Sequence, residues 1–210
     1  MRVVVCDPGV GNVRSVVRAI ERASERTAAN EVVVTRDPSD LASADYVVVP
    51  GQGAFGPFAR GIADGLGDAL REHIARGRPY LGICLGMQVL FDSSDEAPGA
   101  SGLGVLAGHV KRLEPGVDPA TSRPYALPHI GWNEVVPSSP PAAPEGPRYF
   151  YFAHTFAAAP NDAAIITGTT EYGAERFASS VAQGAVVGVQ FHPEKSQREG
   201  LALLARFFRL

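Results

Sequence analysis

The residue best suited to nucleophilic chemistry is Cys84, at the centre of the pentapeptide Gly82-Ile83-Cys84-Leu85-Gly86. A G-x-C-x-G sequence between a strand and a helix is typical of a nucleophile elbow, a sharp turn that presents one side chain at the carboxyl end of a sheet. The glycines are required because Cβ atoms in such a turn would clash, and the N–H groups at the helix start favour a thiolate. The motif is short and leaves open a buried structural cysteine, the role predicted for Cys6 within its apolar strand.

A cysteine nucleophile requires a base and a group that orients the base. His192 follows the apolar run 186–191, which predicts a buried strand, and it begins the tripeptide His192-Pro193-Glu194. Pro193 favours an extended His192, and residues two apart on extended backbone point to the same side, so Glu194 can fix the imidazole tautomer. Alone, this tripeptide is typical of a surface loop. Combined with the cysteine elbow, it predicts a catalytic triad of Cys84, His192 and Glu194.

Backbone donors for a developing oxyanion are predicted after the third strand, at Pro50-Gly51-Gln52-Gly53. Glycines there let N–H groups turn inward, where the N–H of Leu85, the residue after the nucleophile, would join them. The same stretch reads G-x-G-x-x-G, a dinucleotide-binding pattern. That pattern needs an acidic residue at the end of the next strand, and this strand ends in Cys84 instead. A nucleotide site is therefore not predicted.

Composition restricts the remaining classes of function. The chain has 210 residues, of which 45% are hydrophobic and 20% charged, and its formal net charge is −3. These values are typical of a globular protein and do not indicate a nucleic-acid partner. The sequence has no apolar run of membrane length and no signal-peptide pattern, and two cysteines are too few for a disulfide framework. We expect a single domain over residues 1–210 in a reducing, cytoplasmic setting, with no metal and no organic cofactor.

Strands alternate with helices in the first half of the chain. Apolar runs predict strands at residues 3–6, 31–35, 45–49 and 79–83. Helices are predicted from residue 12 onward, over residues 58–74, and from Cys84 to about Phe91. This alternation predicts parallel pairing, with helices on both faces of the sheet.

Short β-like runs divided by turns follow residue 100, at 105–113, 149–153, 163–168, 179–181 and 186–191. The proline-rich stretch 137–144 predicts an exposed loop, because proline cannot donate within a central ladder. Ser196 and Glu199 form a capping-box pattern at the start of a last helix. The predicted fold class is α/β, a mostly parallel central sheet flanked by helices, with an antiparallel section in the second half.

Together these motifs resemble the class I (triad) glutamine amidotransferases. GICLGMQ at 82–88 and QFHPEK at 190–195 resemble the class as a whole. Four stretches resemble its glutaminase subunits, namely DPGVGNVRS at 7–15, PHIGWN at 128–133, YFYFAHTF at 149–156 and HPEKS at 192–196. PHIGWN is the most diagnostic of them, and it contains His129, the one further histidine of interest. The similarity spans nearly the whole chain.

The resemblance implies a flavodoxin-like amidotransferase fold and a glutaminase activity. Cys84 would be the nucleophile, His192 the general base and acid, and Glu194 the orienting group. The oxyanion hole would be formed by the N–H groups of Gly53 and Leu85, with the peptide at Gln52 able to open or close it. The amino-acid end of glutamine would be bound by Gly51, Gln88 and the backbone near Thr155.

The resemblance also implies a partner, a (β/α)₈-barrel cyclase subunit that consumes the ammonia in histidine biosynthesis. The residues facing that partner would be Asn12, Trp132, Asn133 and Lys195. Taken without the family pattern, Trp132 is equally consistent with core packing and Lys195 with a solvated charge. The sequence departs from the family at three positions, with Gln52 in place of the commoner valine and Pro8 and Phe156 in place of tyrosine.

Other interpretations stay open at the level of sequence. One is an amidotransferase subunit of another synthase, in the chorismate or pyridoxal phosphate pathway, which the co-purifying partner would identify. Another is a stand-alone cysteine hydrolase or peptidase, which would be fully active without a partner. A third is a binding module without catalysis, in which Cys84 would be alkylated whether or not a glutamine analogue is present.

Overall fold

The computed structural model describes residues 1–7, 9, 13–24, 31–63, 65–138 and 148–210. Within these residues the strands are β1 (Arg2–Cys6), β2 (Glu31–Thr35), β3 (Tyr46–Gly51), β4 (Tyr80–Cys84), β5 (Ser93–Ser94), β6 (Gly108–Arg112), β7 (Val117–Asp118), β8 (Arg123–Pro124), β9 (His129–Pro137), β10 (Arg148–His154), β11 (Phe156–Pro160), β12 (Ile166–Tyr172), β13 (Glu175–Gln183) and β14 (Val186–Val189). The helices are α1 (Val13–Ser24), α2 (Pro38–Leu41), α3 (Phe55–Gly61), α4 (Leu66–Ala75), α5 (Leu85–Gln88) and α6 (Gln197–Phe207).

A nine-stranded sheet carries the fold, in the order β10-β9-β12-β13-β14-β4-β3-β1-β2. The strands from β14 to β2 are parallel to their neighbours. The strands from β10 to β14 are joined by antiparallel pairing. A smaller sheet has the order β11-β6-β5, and β7 pairs with β8. The predicted α/β class, with a parallel half and an antiparallel section, is confirmed.

The first strand shows why the parallel half is buried on both faces. Successive side chains of a strand point to opposite faces. Val4 packs in an apolar cluster with residues of α3 and α4, whereas Val3 and Val5 pack in a second cluster with residues of α1 and α6. A near-continuous apolar run such as β1 is therefore what a parallel strand between two helical layers requires.

The helix predicted over residues 58–74 is wrong as a single element, because two helices occupy this region. The first, α3, ends at Gly61, and α4 begins after Gly65, which has a φ of +80°. That left-handed conformation is disfavoured for residues with a Cβ, so the glycine marks the turn.

The helix after Cys84 is also shorter than predicted, ending at Gln88 instead of about Phe91. The reason is that a segment farther along the chain bonds to the carbonyl groups that follow Gln88. The carbonyl of Val89 accepts from the N–H of Leu103, and the carbonyl of Leu90 accepts from the N–H of Leu106. These carbonyls are therefore bonded outside the helix, and nothing in the local sequence indicates that segment.

Two further predictions in the second half are corrected, and one strand of the smaller sheet was missed. Pro137 is the last residue of β9, opposite Gly168, and does not lie in a loop; residues 139–144 of the predicted loop are outside the described residues. The capping box is absent, because the Ser196 hydroxyl donates to the carbonyl of His192 and Glu199 pairs with Arg148. Strand β11 was not predicted, since its alanines carry little β signal.

Candidate active site

Cys84 lies at the junction of β4 and α5 with φ +54° and ψ −108°, a conformation that residues with a Cβ rarely adopt. Strain of this kind costs on the order of 1–3 kcal/mol and persists where the surrounding structure imposes it. A Cβ on Gly82 would lie 2.2 Å from the Gly86 carbonyl oxygen, and a Cβ on Gly86 would lie 1.8 Å from that of Val49. The glycines of the pentapeptide are therefore required by close approach, as the sequence predicts.

Three parallel strands bring the candidate residues to one rim of the sheet. β4 lies between β3 and β14, with Cys84 opposite Gly51 and Ile83 opposite Val189. The carboxyl ends of adjacent parallel strands meet at the same edge. The nucleophile elbow, the turn after Gly51 and the segment that leads to His192 consequently converge there.

His192 and Glu194 form a buried pair at this rim. The imidazole Nδ1 lies 2.8 Å from Glu194 Oε1, and each side chain is only 2% exposed. A carboxylate can only accept, so Nδ1 carries a hydrogen and Nε2 is left to exchange a proton with another group. The backbone of His192 is also held, because its N–H donates to Tyr151 and its carbonyl accepts from the N–H of Lys195.

The pKa of His192 reflects this position. Burial alone lowers the pKa, but hydrogen bonding to Cys84 and Glu194 and the negative charges of these groups outweigh burial and raise the pKa to about 9. Nε2 has no hydrogen bond of ordinary geometry to any described residue, yet Cys84 is near enough to affect the titration of the ring. This environment favours the protonated form of the His192 ring, an imidazolium.

A cavity of about 270 Å³ opens onto these groups. It is lined by most of the residues predicted for catalysis, oxyanion binding and substrate binding, namely Gln52, Gly53, Cys84, Leu85, Gln88, Thr155 and His192. Lys195, which was predicted to face a partner, also lines it. Glu194 lies behind His192 and is not part of the wall. Gly51 is buried, and a Cβ there would lie 2.5 Å from the Phe58 ring and 2.6 Å from Leu85. Gly51 therefore permits close packing behind the cavity.

The turn after β3, predicted as an oxyanion loop, lines the cavity with Gln52 and Gly53. Gly53 is exposed on the cavity, with a φ of +101°, and no atom lies within 4 Å of the position that a Cβ would take. Glycine is required at this residue by backbone conformation and not by lack of space. Leu85, at the first position of α5, lines the same cavity.

Glu96 was missed by the sequence analysis, although it lines the cavity. Its Oε2 accepts a hydrogen bond of 2.8 Å from the N–H of Phe55, the first residue of α3. The loop that carries Glu96 is distant in sequence from every motif, so no local pattern predicted this approach. With Lys195, Glu96 gives the cavity wall one carboxylate and one ammonium group.

His154 is a second cavity residue that sequence alone did not single out. Burial lowers its pKa to about 3 and that of His129 to about 4, so both rings are neutral. His154 Nδ1 donates to the Phe156 carbonyl over 2.9 Å, and its Nε2 accepts from His129 Nδ1 over 3.1 Å. Because both nitrogens of His154 are engaged, the ring has a fixed tautomer and a fixed orientation.

The residues predicted to face a partner do not all lie on the same exposed surface. Trp132 is 48% exposed on β9, beside Tyr151 on β10, and Lys195 lies over the Tyr151 ring. Asn133 points to the other face of β9, where its amide donates to the Glu171 carbonyl over 2.9 Å. Its side chain therefore bonds within the chain. Asn12 lies outside the described residues, as does Pro8.

Within the described part of the chain, no group of three or more His, Cys, Asp and Glu side chains is arranged to hold a metal ion. None of the described helices is long and apolar enough to cross a membrane.

Comparison with known proteins gives strong matches. A family model described as Glutamine amidotransferase class-I matches residues 4–210. The imidazole glycerol phosphate synthase subunit HisH of Methylococcus capsulatus is 41% identical over 211 residues, covering 99% of this chain and 95% of that protein. The subunit of the same name from Pyrococcus furiosus is 41% identical over 212 residues, with 100% and 99% coverage. That from Aquifex aeolicus is 42% identical over 213 residues, with 100% and 97% coverage.

Solved structures with low sequence identity share the fold. A crystal structure of a glutamine amidotransferase aligns with a TM-score of 0.72 at 19% identity, covering 99% of both chains. The structure of PurLQS from Thermotoga maritima aligns with a TM-score of 0.72 at 18% identity, covering 100% of this chain and 99% of that one. At such identities the likeness concerns the architecture alone.

Proposed function

This chain belongs to the class-I glutamine amidotransferase family, and we propose that it is the glutaminase subunit of an imidazole glycerol phosphate synthase. It hydrolyses glutamine to glutamate and ammonia and supplies the ammonia to a cyclase subunit for histidine biosynthesis. The observation that carries the chemistry is the strained Cys84 elbow opening onto the same cavity as His192, which is buried against Glu194.

The first half of the reaction forms a thioester. Glu194 holds the Nδ1–H tautomer of His192, so that Nε2 takes the proton of the Cys84 thiol. The thiolate attacks the carboxamide carbon of glutamine, and the carbonyl oxygen becomes an oxyanion that accepts from the N–H groups of Gly53 and Leu85. The imidazolium then gives its proton to the leaving nitrogen. The C–N bond breaks and ammonia departs, leaving a γ-glutamyl thioester.

The second half of the reaction restores the enzyme. His192, now neutral, accepts a proton from water, and the resulting hydroxide attacks the thioester carbonyl. The same two N–H groups stabilise the second oxyanion. The C–S bond then breaks and glutamate leaves. The raised pKa of His192, about 9, supports its role as the group that takes and holds the proton of the thiol.

The cavity suits the amino-acid end of glutamine, which has an α-ammonium and an α-carboxylate. The carboxylate of Glu96 is complementary to the ammonium, and Lys195 and the backbone near Thr155 are complementary to the carboxylate. Gln88 lies beneath this region, where its amide donates to the Phe156 carbonyl over 2.9 Å. In this proposal Gln88 forms part of the wall that the substrate contacts, and Gly51 supports that wall from behind.

The partner in this proposal is a (β/α)₈-barrel cyclase that binds the exposed face of β9 and β10. This surface presents Ile130, Trp132 and Tyr149, each about half exposed or more, and aromatic side chains of this kind are enriched at interface centres. Lys195 lies between this face and the cavity. Asn133 supports the face from behind, and Asn12 is proposed as a contact by family resemblance alone.

Delivery to an adjacent partner has a chemical reason. Ammonia released to neutral water is mostly protonated, and ammonium is not a nucleophile.

The proposal also includes one domain over residues 1–210, supported by a single family model that spans residues 4–210. It includes a cytoplasmic location, which fits two free cysteines.

A glutaminase assay with and without the cyclase subunit and its nucleotide ligand tests the function. We propose that glutamine hydrolysis is suppressed until the partner's substrate binds. Wild-type chain in the complex is therefore expected to release glutamate rapidly, the isolated chain slowly, and Cys84→Ala not at all. Equal rates for the isolated chain and the complex would contradict this coupling. Full activity of Cys84→Ala would contradict the proposed chemistry.

A further inference from the structure

Gln190 contacts the candidate nucleophile from a position that the triad does not use. It directly follows β14, two residues before His192, and is completely buried. Its Nε2 lies 3.5 Å from Cys84 Sγ, a hydrogen-bond distance for sulfur. Its Oε1 lies 3.0 Å from Gln88 Nε2.

The orientation of this amide follows from its neighbours. The Phe156 carbonyl can only accept, so the group of Gln88 that lies 2.9 Å from it is the NH₂ group. The same NH₂ group faces Gln190, whose facing atom must therefore be the amide oxygen. The nitrogen of Gln190 is then the atom directed at the sulfur. The hydrogen bonds that link the Phe156 carbonyl, Gln88 and Gln190 therefore determine which atom of the Gln190 amide is the nitrogen.

The geometry points to Gln190 as a positioning residue that donates an N–H to the Cys84 thiolate and ties it to Gln88. This inference rests on the proposed function, since it concerns the same nucleophile. A donor to sulfur favours the charged thiolate over the neutral thiol, because the hydrogen bond strengthens with negative charge. In the thioester the sulfur loses this charge, so the contact acts mainly in the free enzyme.

A substitution at Gln190 can remove the hydrogen bond to the sulfur without changing any charged group nearby. The titratable side chains of the same cavity wall are His192, His154, Glu96 and Lys195, with Glu194 behind His192. Gln190 is uncharged. Its replacement by methionine, which has a similar length, therefore removes the donor and leaves every one of these charges in place.

The test is the pH profile of iodoacetamide alkylation at Cys84, measured on the full chain by peptide mass spectrometry without glutamine. Peptide analysis separates Cys84 from Cys6, which is completely buried. In Gln190→Met the midpoint of the profile is expected to rise by about one pH unit, as the thiolate loses a donor. In Gln190→Glu it is expected to rise further, because a carboxylate then faces the sulfur.

Ser179→Ala is the matched control. Ser179 is completely buried on β13, its carbonyl accepts from the N–H of Gln190, and its hydroxyl has no partner among the described residues. The variant is expected to leave the midpoint unchanged. Wild-type midpoints in both Gln190 variants would overturn the inference, as would an equal rise in Ser179→Ala. Loss of folding in both Gln190 variants, seen by circular dichroism, would also overturn it in favour of a structural role.

The alkylation profile separates this inference from the proposed function. The assay needs neither glutamine turnover nor a partner. A chain that fails to release glutamate but shows the expected shifts would contradict the glutaminase proposal alone. Normal glutaminase activity with unshifted profiles would contradict the role of Gln190 alone.

Discussion

His192 has each ring nitrogen in a different environment, and this difference determines its chemistry. Nδ1 is bonded to Glu194, whereas Nε2 has no partner of ordinary geometry among the described residues, and the residue lines the cavity. A histidine with both nitrogens bonded, such as His154, has a fixed orientation but no free site for a proton. The comparison explains why His192 is the candidate base although both rings are buried and line the same cavity.

Replacing Glu194 with glutamine tests the orienting role. The variant keeps an acceptor for Nδ1 but removes the charge, so the pKa of His192 is expected to fall below about 9. The kcat for glutamine hydrolysis in the complex is expected to decrease by about 10²-fold or more, a typical contribution of general acid–base catalysis. Glu199→Gln, which removes a carboxylate paired with Arg148, is the control. A kcat for Glu194→Gln close to that of Glu199→Gln would contradict the role.

The two neutral histidines predict a dependence of stability on pH. His129 and His154 have pKa values lowered to about 4 and about 3 by burial, below the value of about 6.5 in an unfolded chain. Between these values the unfolded state binds more protons, so the free energy of unfolding decreases as the pH falls below about 6.5.

His129→Gln isolates one of these groups, because glutamine can still donate to His154 but does not titrate. Relative to this variant, wild type is expected to lose about 1.4 kcal/mol per pH unit between about pH 6.5 and 4. Urea unfolding at several pH values measures the difference. Parallel curves for the two proteins would show that His129 is protonated in the folded state.

At the scale of single elements, the elbow is maintained by backbone contacts. Gly86→Ala would place a Cβ 1.8 Å from the Val49 carbonyl oxygen, so β3 or α5 must move. We expect a loss of about 3 kcal/mol or more in the free energy of unfolding, together with loss of alkylation at Cys84.

Gly77→Ala provides the matched control for this prediction. Gly77 has a φ of +72° and no atom within 4 Å of the Cβ position, so the substitution costs only the unfavourable backbone conformation, about 1–2 kcal/mol. Urea unfolding of both variants measures the difference. Equal losses would mean that contact with β3 does not hold the elbow.

The elements also show what the sequence could predict. The strands of the parallel half were predictable because burial on both faces leaves continuous apolar runs in the sequence. The triad was predictable because its two motifs lie at the ends of such strands. The short α5 and the approach of Glu96 depend on hydrogen bonds from segments distant in sequence. Gln190 lies in a motif that the sequence identified. The orientation of its amide could not be predicted, because it depends on contacts with Gln88 and with Cys84 on the neighbouring strand.

At the scale of the whole molecule, one edge of the sheet differs from the other. The edge formed by β9 and β10 exposes Trp132 and Tyr149, and the end of β10 at Ala153 and His154 lines the cavity. The edge formed by β2 exposes Val34. A partner that receives ammonia must cover the cavity side. The first edge is therefore the proposed interface, and the second serves as a comparison.

Trp132→Ala is expected to weaken binding of the cyclase by about 2 kcal/mol or more, the effect of a central aromatic contact. Val34→Ala, at a residue with a similar exposed fraction of 47% against 48%, is expected to leave the affinity unchanged. Calorimetric titration with the cyclase measures both. Equal affinities of the two variants would place the interface elsewhere.

Catalysis by the Cys84 thiol is tested by mass spectrometry of the complex after rapid acid quenching during turnover of glutamine. We expect a γ-glutamyl group on the peptide that contains Cys84, and no adduct in Cys84→Ala. Glutamate formation by Cys84→Ala, or an adduct at Cys6 instead of Cys84, would contradict catalysis by Cys84.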